Sequence, residues 1–352
     1  MASLHEIPRD GSYVGFVNPQ STGHSAAMER LTAIRGHLLH PFHSEHTVDH
    51  IPSPLDISSL ADEREQVLVY SDGGDGTVRN VVASIIGVVA NNPEASAANM
   101  AAHKSIAKRL RFFAGAGGNA NNWPLSAHGD YAKNPSALTL SDNVSVGYHR
   151  PMMYEVIDEA GNIVQSNIAT SCIGFSGPAI ASDRLQQAKS ELKQKSRIPR
   201  LISEAQIALG AVRGAPKFTA NVSFQSPEHS GNLTVTDVTG LEFIGSRIYA
   251  KEGRTQVNVD DTFWQPVVTR RYPNKLYDTA VFTETMARLK LGRHIIRPLD
   301  LSDMSISIQI ASDAEAVQFH ADGETGEDYR VQPGQTLRMH LAQIAIPVIM
   351  VA

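Results

Sequence analysis

Gly73-Gly74-Asp75-Gly76-Thr77 brings together the residue types that handle phosphate. Glycine tolerates positive φ and lets a ligand approach the backbone closely. The loop follows an apolar run at 66–70. It precedes Val78, Val81, Val82, Ile85, Ile86 and Val89, which recur at the helical period. It therefore joins a strand to a helix, where free N–H groups point outward and favour phosphate. Asp75 has two chemical uses at such a place, holding Mg²⁺ or polarising a hydroxyl. It also has a structural one, as the N-cap of a tight strand-to-helix turn. The loop is not a P-loop, because no Gly-Lys-Ser/Thr follows, and it is not the Gly-x-Gly-x-x-Gly dinucleotide pattern.

Strands must position such a loop. Residues 13–17 read as one, ending at Asn18-Pro19, and residues 66–70 as another. Residues 111–114 repeat the pattern and run into Gly115-Ala116-Gly117-Gly118-Asn119. Strands, glycine loops and helices in alternation are the grammar of an open α/β sheet, whose ligands sit beyond the C-terminal strand ends. Both glycine loops fall there. Near residue 150 the pattern changes. Residues 152–157 and 163–175 flank Glu159-Ala160-Gly161-Asn162 and read as a hairpin. Further β-like runs lie at 218–224, 233–238, 241–244, 255–259, 304–310 and 316–320, with helical stretches at 179–209 and 283–291. The expectation is a Rossmann-like α/β domain at 10–148 and an all-β domain with a helical insertion at 149–334. The segment 335–352 either closes the second domain or crosses back to the first.

Composition narrows the setting. A chain of 352 residues fits two domains. Apolar residues at 42% and charged residues at 19% exclude wholesale disorder. A net charge of −5 argues against a general nucleic-acid binder. Cys172 stands alone, so no intramolecular disulfide forms, a reducing compartment fits, and the thiol is expected to be buried and inert. Residues 1–11 lack the apolar core of a signal peptide. The longest apolar stretches, 81–90 and 345–352, fall short of the roughly 18–20 residues of a membrane span. A cytoplasmic protein is expected, and one that meets any lipid from the surface. Its charge is uneven: residues 184–217 hold eight basic residues against Glu191 and Glu204. That segment is either a solvated helix face or a surface for anionic headgroups at the inner membrane face. His40, His43, His46 and His50 are spaced for one helix face, but Pro41 breaks the helix, and they read as loop histidines.

The pentapeptide Gly73–Thr77 resembles the signature of the diacylglycerol kinase catalytic-domain family, which is related to sphingosine kinase and NAD kinase. Other segments follow in the family's order. Asn18-Pro19-Gln20-Ser21-Thr22-Gly23 resembles its Asn-Pro-x-Ser-Gly loop, with one extra residue. Thr47 resembles the threonine that ends its second strand and contacts nucleotide. Gly115–Asn119 resembles its Gly-Thr-x-Asn-Asp loop, and Ile173-Gly174-Phe175 its entry to the β-rich domain. Residues 289–294 resemble the helix end before its last strands, and Asp322-Gly323-Glu324 its Asp-Gly-Glu element. Asp-Gly is also an ordinary hairpin turn, and its flanks suit a hairpin. Val78, Arg79 and Asn80 stand where the family has an apolar residue, Asn and Glu, and Asp72 replaces a small residue. Asp260 and Asp261 lie near the family's structural Mg²⁺ region, but their motif does not match, so no metal ligand is assigned.

The resemblance implies an α/β nucleotide-binding domain, a β-sandwich acceptor domain and an active site in the cleft between them. It implies ATP and Mg²⁺, with the γ-phosphoryl group passing to the hydroxyl of diacylglycerol or a related lipid alcohol. Nucleotide would meet Asn18, Ser21, Thr22, Gly23, Thr47, Gly73, Gly74, Asp75, Gly76, Thr77, Gly117, Gly118 and Asn119. Glu324 and Asp322 are the candidates to take the hydroxyl proton, with Asp75 between base and metal roles. Two further readings stay open: a kinase of a soluble acceptor such as NAD, and a nucleotide-binding protein without catalysis. No nucleic acid partner is expected, and a homodimer is the ordinary prior for assembly.

Overall fold

The computed structural model describes residues 12–19, 21, 24–36, 44–47, 66–118, 121–134, 144–249, 253–270, 280, 281, 284, 288, 291, 296–311 and 315–351. Thr22, Gly23, Asn119, His40, His43 and His50 lie outside them. So do five of the six residues at 289–294, and at Thr47 only the backbone is described.

The chain opens with β1 (Ser12–Val17), α1 (His24–Arg35), β2 (Ser44–Thr47) and β3 (Val67–Gly73). There follow α2 (Asp75–Ile86), α3 (Pro93–Ala107), β4 (Leu110–Ala116), α4 (Asn122–His128) and β5 (Val144–His149). β2, β1, β3 and β4 lie side by side and parallel. Alternation along the strands divides two cores. Val14, Phe16, Val69 and Phe112 pack with Val78, Val82 and Ile85 of α2, while Tyr13, Leu68, Tyr70 and Phe113 pack with Leu31 and Ile34 of α1. Each such aliphatic side chain contributes about 1.5–3 kcal/mol on burial. α2 stops at Ile86 because Gly87 turns left-handed at φ 81°. Val89, in phase by sequence, therefore lies beyond the helix.

The remainder is mostly antiparallel. β6 (Met152–Ile157) and β7 (Ile163–Ala169) form the expected hairpin, and β8 (Cys172–Ser176) follows. The helical stretch is three helices, α5 (Gly177–Gln187), α6 (Lys189–Gln194) and α7 (Arg197–Gly214). Then come β9 (Phe218–Gln225), β10 (Ser230–Ile244), β11 (Ile248–Tyr249), β12 (Gly253–Arg254), β13 (Phe263–Arg270), β14 (Leu299–Asp300) and β15 (Ser305–Ile310). β16 (Val317–Ala321), β17 (Arg330–Val331), β18 (Thr336–Leu341) and β19 (Ile346–Val351) complete the chain. β6–β10 and β13–β18 join in one eleven-stranded sheet. β10 bends at Asp237, with φ 55° and a register shift between Val235 and Val238. Before the bend it pairs with β9. After it, β8 lies on one edge and β13 on the other. The sheet thereby curls over a core that includes Tyr154, Phe175, Phe243, Trp264, Ile308 and Phe319. Residues 255–259, expected as a strand, form none.

β18 belongs to the curled sheet, while β19 enters the first sheet between β4 and β5. β19 is parallel to β4, and Val348 opposite Phe112 marks their pairing. His128 of α4 reinforces the seam. Its Nε2 accepts the Ala114 N–H at 3.0 Å, and its Nδ1 donates to the Ile349 carbonyl at 2.7 Å.

Candidate active site

Register places the expected loops on one edge. Thr47 of β2 lies opposite Val17 of β1, Val17 opposite Asp72 of β3, and Asp72 opposite Gly115 of β4. These residues form a row at the C-terminal edge of four parallel strands. Three loops leave from that row and bond to one another. Asn18 N–H donates to the Asp72 carbonyl at 3.0 Å, and the Asn18 amide donates to Thr77 Oγ1 at 3.1 Å. Gly117 N–H donates to the Gly73 carbonyl at 3.0 Å. Asn121, left-handed at φ 53°, closes the β4–α4 loop through the N–H and the carbonyl of Gly118.

The glycines serve packing inside the protein. A Cβ on Gly73 would strike the Thr77 side chain, and one on Gly74 would sit 3.2 Å from Gly118 Cα. A Cβ on Gly76 would sit 2.5 Å from Glu324 Oε1. The Asp-Gly-Glu element of the curled sheet therefore rests directly on the first turn of α2. Gly74 caps that helix with no side-chain hydrogen bond. The first N–H groups of α2 thus keep the polarity that suits an anion. Ser21 Oγ, in the neighbouring loop, is buried and has no partner among the described residues. These groups fit the phosphates of a nucleotide.

The carboxylates are all engaged. Asp75 points away from its own helix and caps α4, accepting the N–H groups of Asn122 at 3.1 Å and Trp123 at 2.9 Å. Burial raises its pKa to about 7, and the nearby Asp322 adds to the shift. Asp72 is gripped by Arg30 through two 2.8 Å bonds and also accepts the Tyr70 hydroxyl. Its carboxylate fills the space above Gly115 and Gly117, where any Cβ would collide with it. Its charge is thus matched within the fold.

Asp322 and Gly323 adopt φ 53° and 83°, and Glu324 N–H donates to the Ala321 carbonyl at 3.0 Å. This is a two-residue hairpin turn in which both central residues are left-handed. The Asp322 carboxylate accepts five bonds, from the N–H groups of Thr170, Ser171 and Cys172 and the hydroxyls of Thr170 and Ser171, at 2.7–3.0 Å. It thereby breaks the apolar run 163–175 into β7 and β8. Ser182 Oγ donates to the Gly323 carbonyl at 2.7 Å, and the Gln186 amide donates to it as well. Turn chemistry and site chemistry coexist here.

Glu324 alone of the four keeps a large exposed fraction, 40% of its side chain. It forms an ion pair with the buried Arg79 of α2 and lies 3.4 Å from the Tyr329 hydroxyl. Arg79 also donates to Tyr329 Oη at 3.1 Å and reaches the Ala321 carbonyl at 3.4 Å. Its partner was not assigned from sequence. The signal was present nonetheless, because an arginine one turn into an otherwise apolar helix requires a carboxylate when buried. A directly ligated Mg²⁺ does not fit this set as arranged: Asp322 accepts five bonds, Asp72 is gripped by Arg30 and Tyr70, Asp75 caps α4, and Glu324 is ion-paired with Arg79.

One further cluster lies behind the turn. His320 of β16 and Glu242 of β10 both stand opposite Gly174 of β8, whose missing side chain lets them meet. His320 Nε2 is 3.2 Å from Glu242 Oε1, and the Cys172 thiol is close by. Gly323 N–H donates to His320 Nδ1 at 3.3 Å, which ties the ring to the turn.

No family model and no curated protein matches the chain. Solved structures do. A diacylglycerol kinase from Bacillus anthracis str. Sterne covers 98% of this chain and 98% of its own, at 14% identity and a TM-score of 0.55. The chain has the diacylglycerol kinase fold. A provisionally assigned diacylglycerol kinase from the same organism covers 98% of this chain and 99% of its own, at 15% identity and a TM-score of 0.55. Likeness at this identity concerns the fold.

Proposed function

We propose that this protein is a kinase that transfers the γ-phosphoryl group of ATP to a hydroxyl of a lipid alcohol, with diacylglycerol the first acceptor to test. The observation that carries this reading is the contact of Glu324 with Gly76. It brings a partly exposed carboxylate from the curled sheet onto a helix start that has no side-chain cap and suits phosphate. The phosphates would lie on the first N–H groups of α2, with Ser21 Oγ as a further donor. Glu324 would take the proton of the acceptor hydroxyl. The freed oxygen pair bonds to the γ-phosphorus, the bond to the bridging oxygen breaks, and that electron pair leaves with ADP. Asp75 and Asp322 act structurally in this reading, holding α4 and the hairpin turn.

The surface supports a lipid acceptor in this reading. On α7, Ile198 and Ile202 are 71% and 54% exposed and share one helix face. Part of the surrounding positive charge is paired, as in Lys195–Glu191, Arg200–Glu204 and Lys217–Asp237. An apolar pair within a basic segment suits shallow contact with an anionic bilayer. Liposome sedimentation should require anionic lipid and weaken with salt.

The deciding experiment is transfer from labelled ATP in the presence of a lipid extract. Label in a chloroform-extractable product supports the proposal, and mass spectrometry of that product names the acceptor. Label confined to the aqueous phase points to a soluble acceptor. Tight ATP binding without turnover points to a nucleotide-binding protein.

A further inference from the structure

We propose that Arg79 is the positioning residue for Glu324, a clamp that crosses from the nucleotide-side helix to the hairpin that carries the base. The inference rests on the kinase reading above and gives a role to a residue that reading does not use. Arg79 is 3% exposed, so its guanidinium cannot be satisfied by water. It faces three groups of the curled sheet: the Glu324 carboxylate, the Ala321 carbonyl and the Tyr329 hydroxyl. The Asn80 amide oxygen holds the fork from behind, at 3.2 and 3.4 Å. All three sheet partners belong to the turn or to the segment just after it. The backbone of that turn is fixed separately, at Gly323 N–H by His320 and at the Gly323 carbonyl by Ser182 and Gln186. The Glu324 side chain has only Arg79 and Tyr329 to set its direction among these contacts. A planar fork suits that task better than a flexible ammonium does.

Arg79 touches neither phosphate nor hydroxyl in this scheme. It aims one oxygen of Glu324 at the space where the acceptor hydroxyl gives up its proton while that hydroxyl's oxygen attacks phosphorus. A positioning role of this kind lowers kcat and leaves nucleotide affinity alone.

The test is a double-mutant cycle in the full chain. Glu324→Gln should lower kcat on the order of 10²-fold. Arg79→Met should lower it by about tenfold or more, with the KM for ATP unchanged within about twofold. The double variant should be no slower than Glu324→Gln alone, because Arg79 then has nothing to aim. Arg79→Lys keeps the charge without the fork and should recover part of the loss, which also covers the case in which Arg79→Met folds poorly. Unchanged kcat in Arg79→Met, or losses that multiply in the double variant, overturns the inference. A wild-type protein that transfers no phosphate would defeat the kinase reading, and the same cycle read by urea unfolding then decides the clamp. Non-additive effects there support it, and additive ones sink it.

Discussion

Gly76 carries the most direct prediction at the scale of single residues. Helical backbone accepts alanine there, but the new Cβ would sit 2.5 Å from Glu324 Oε1. The glutamate is exposed enough to swing away, so the fold should tolerate Gly76→Ala while the carboxylate loses its place. Activity is expected to fall by about tenfold or more with a melting temperature within a few degrees of wild type. Wild-type turnover in that variant would remove Glu324 from the reaction. Asp322→Asn makes the opposite pattern. The aspartate accepts five donors, and an amide turns an N–H toward some of them. A loss of about 2–4 kcal/mol in urea unfolding is expected. A loss of activity at full stability would instead give Asp322 a chemical role.

At the scale of elements, the row Thr47, Val17, Asp72 and Gly115 shows why the loops converge. Parallel register delivers each loop to the same edge, and small residues let the loops touch. Asp72 reads in sequence as an extra negative charge beside phosphate. In the fold it is part of a buried Tyr70–Asp72–Arg30 group spanning α1 and β3. Arg30→Met should therefore cost about 3–5 kcal/mol, because it strands a buried carboxylate. Arg30→Met combined with Asp72→Asn should recover much of that loss in the same unfolding measurement. The strand–loop–helix grammar and the β6–β7 hairpin were legible in the sequence, because periodicity and turn residues are local signals. The split of 163–175 was not, since its cause is a carboxylate about 150 residues away, at Asp322. The breaks at Ala188 and Ser196 within one helical stretch, and the joining of 233–238 to 241–244 across the Asp237 bulge, are likewise tertiary outcomes. The site was legible in part. Its two motifs could be named, but not that Arg79 joins them, nor that Asp75 faces α4.

At the scale of the whole molecule, buried titratable groups sit where the pieces meet. His128 bridges β4 and β19, while His149 donates to the Val259 carbonyl and accepts the Trp123 indole N–H. Burial lowers their pKa values from 6.5 to about 3 and about 4. Below pH 6.5 the unfolded chain takes up both protons and the folded chain takes up neither, so their contribution is lost as pH falls from about 6.5 toward 4. Asp75 runs the other way. Its carboxyl is raised from 3.8 to about 7, so the folded protein holds a proton that the unfolded chain releases, and that contribution is lost as pH rises through about 7. Between about pH 4.5 and 6 these three groups together take up one net proton on unfolding. Stability should then rise with pH by about 1.4 kcal/mol per unit from these groups. Asp75→Asn removes the opposing proton and should steepen the slope by about the same amount. His128→Asn should make it shallower to a similar degree, while loosening the seam between β4 and β19. Urea unfolding of the three proteins at half-unit steps across this window measures the slopes directly. Parallel slopes in wild type and Asp75→Asn would show that Asp75 is ionised in the folded protein, held so by the N–H groups of α4. The carboxylate nearest the phosphate loop would then carry its charge at neutral pH, and nucleotide would have to bind against it.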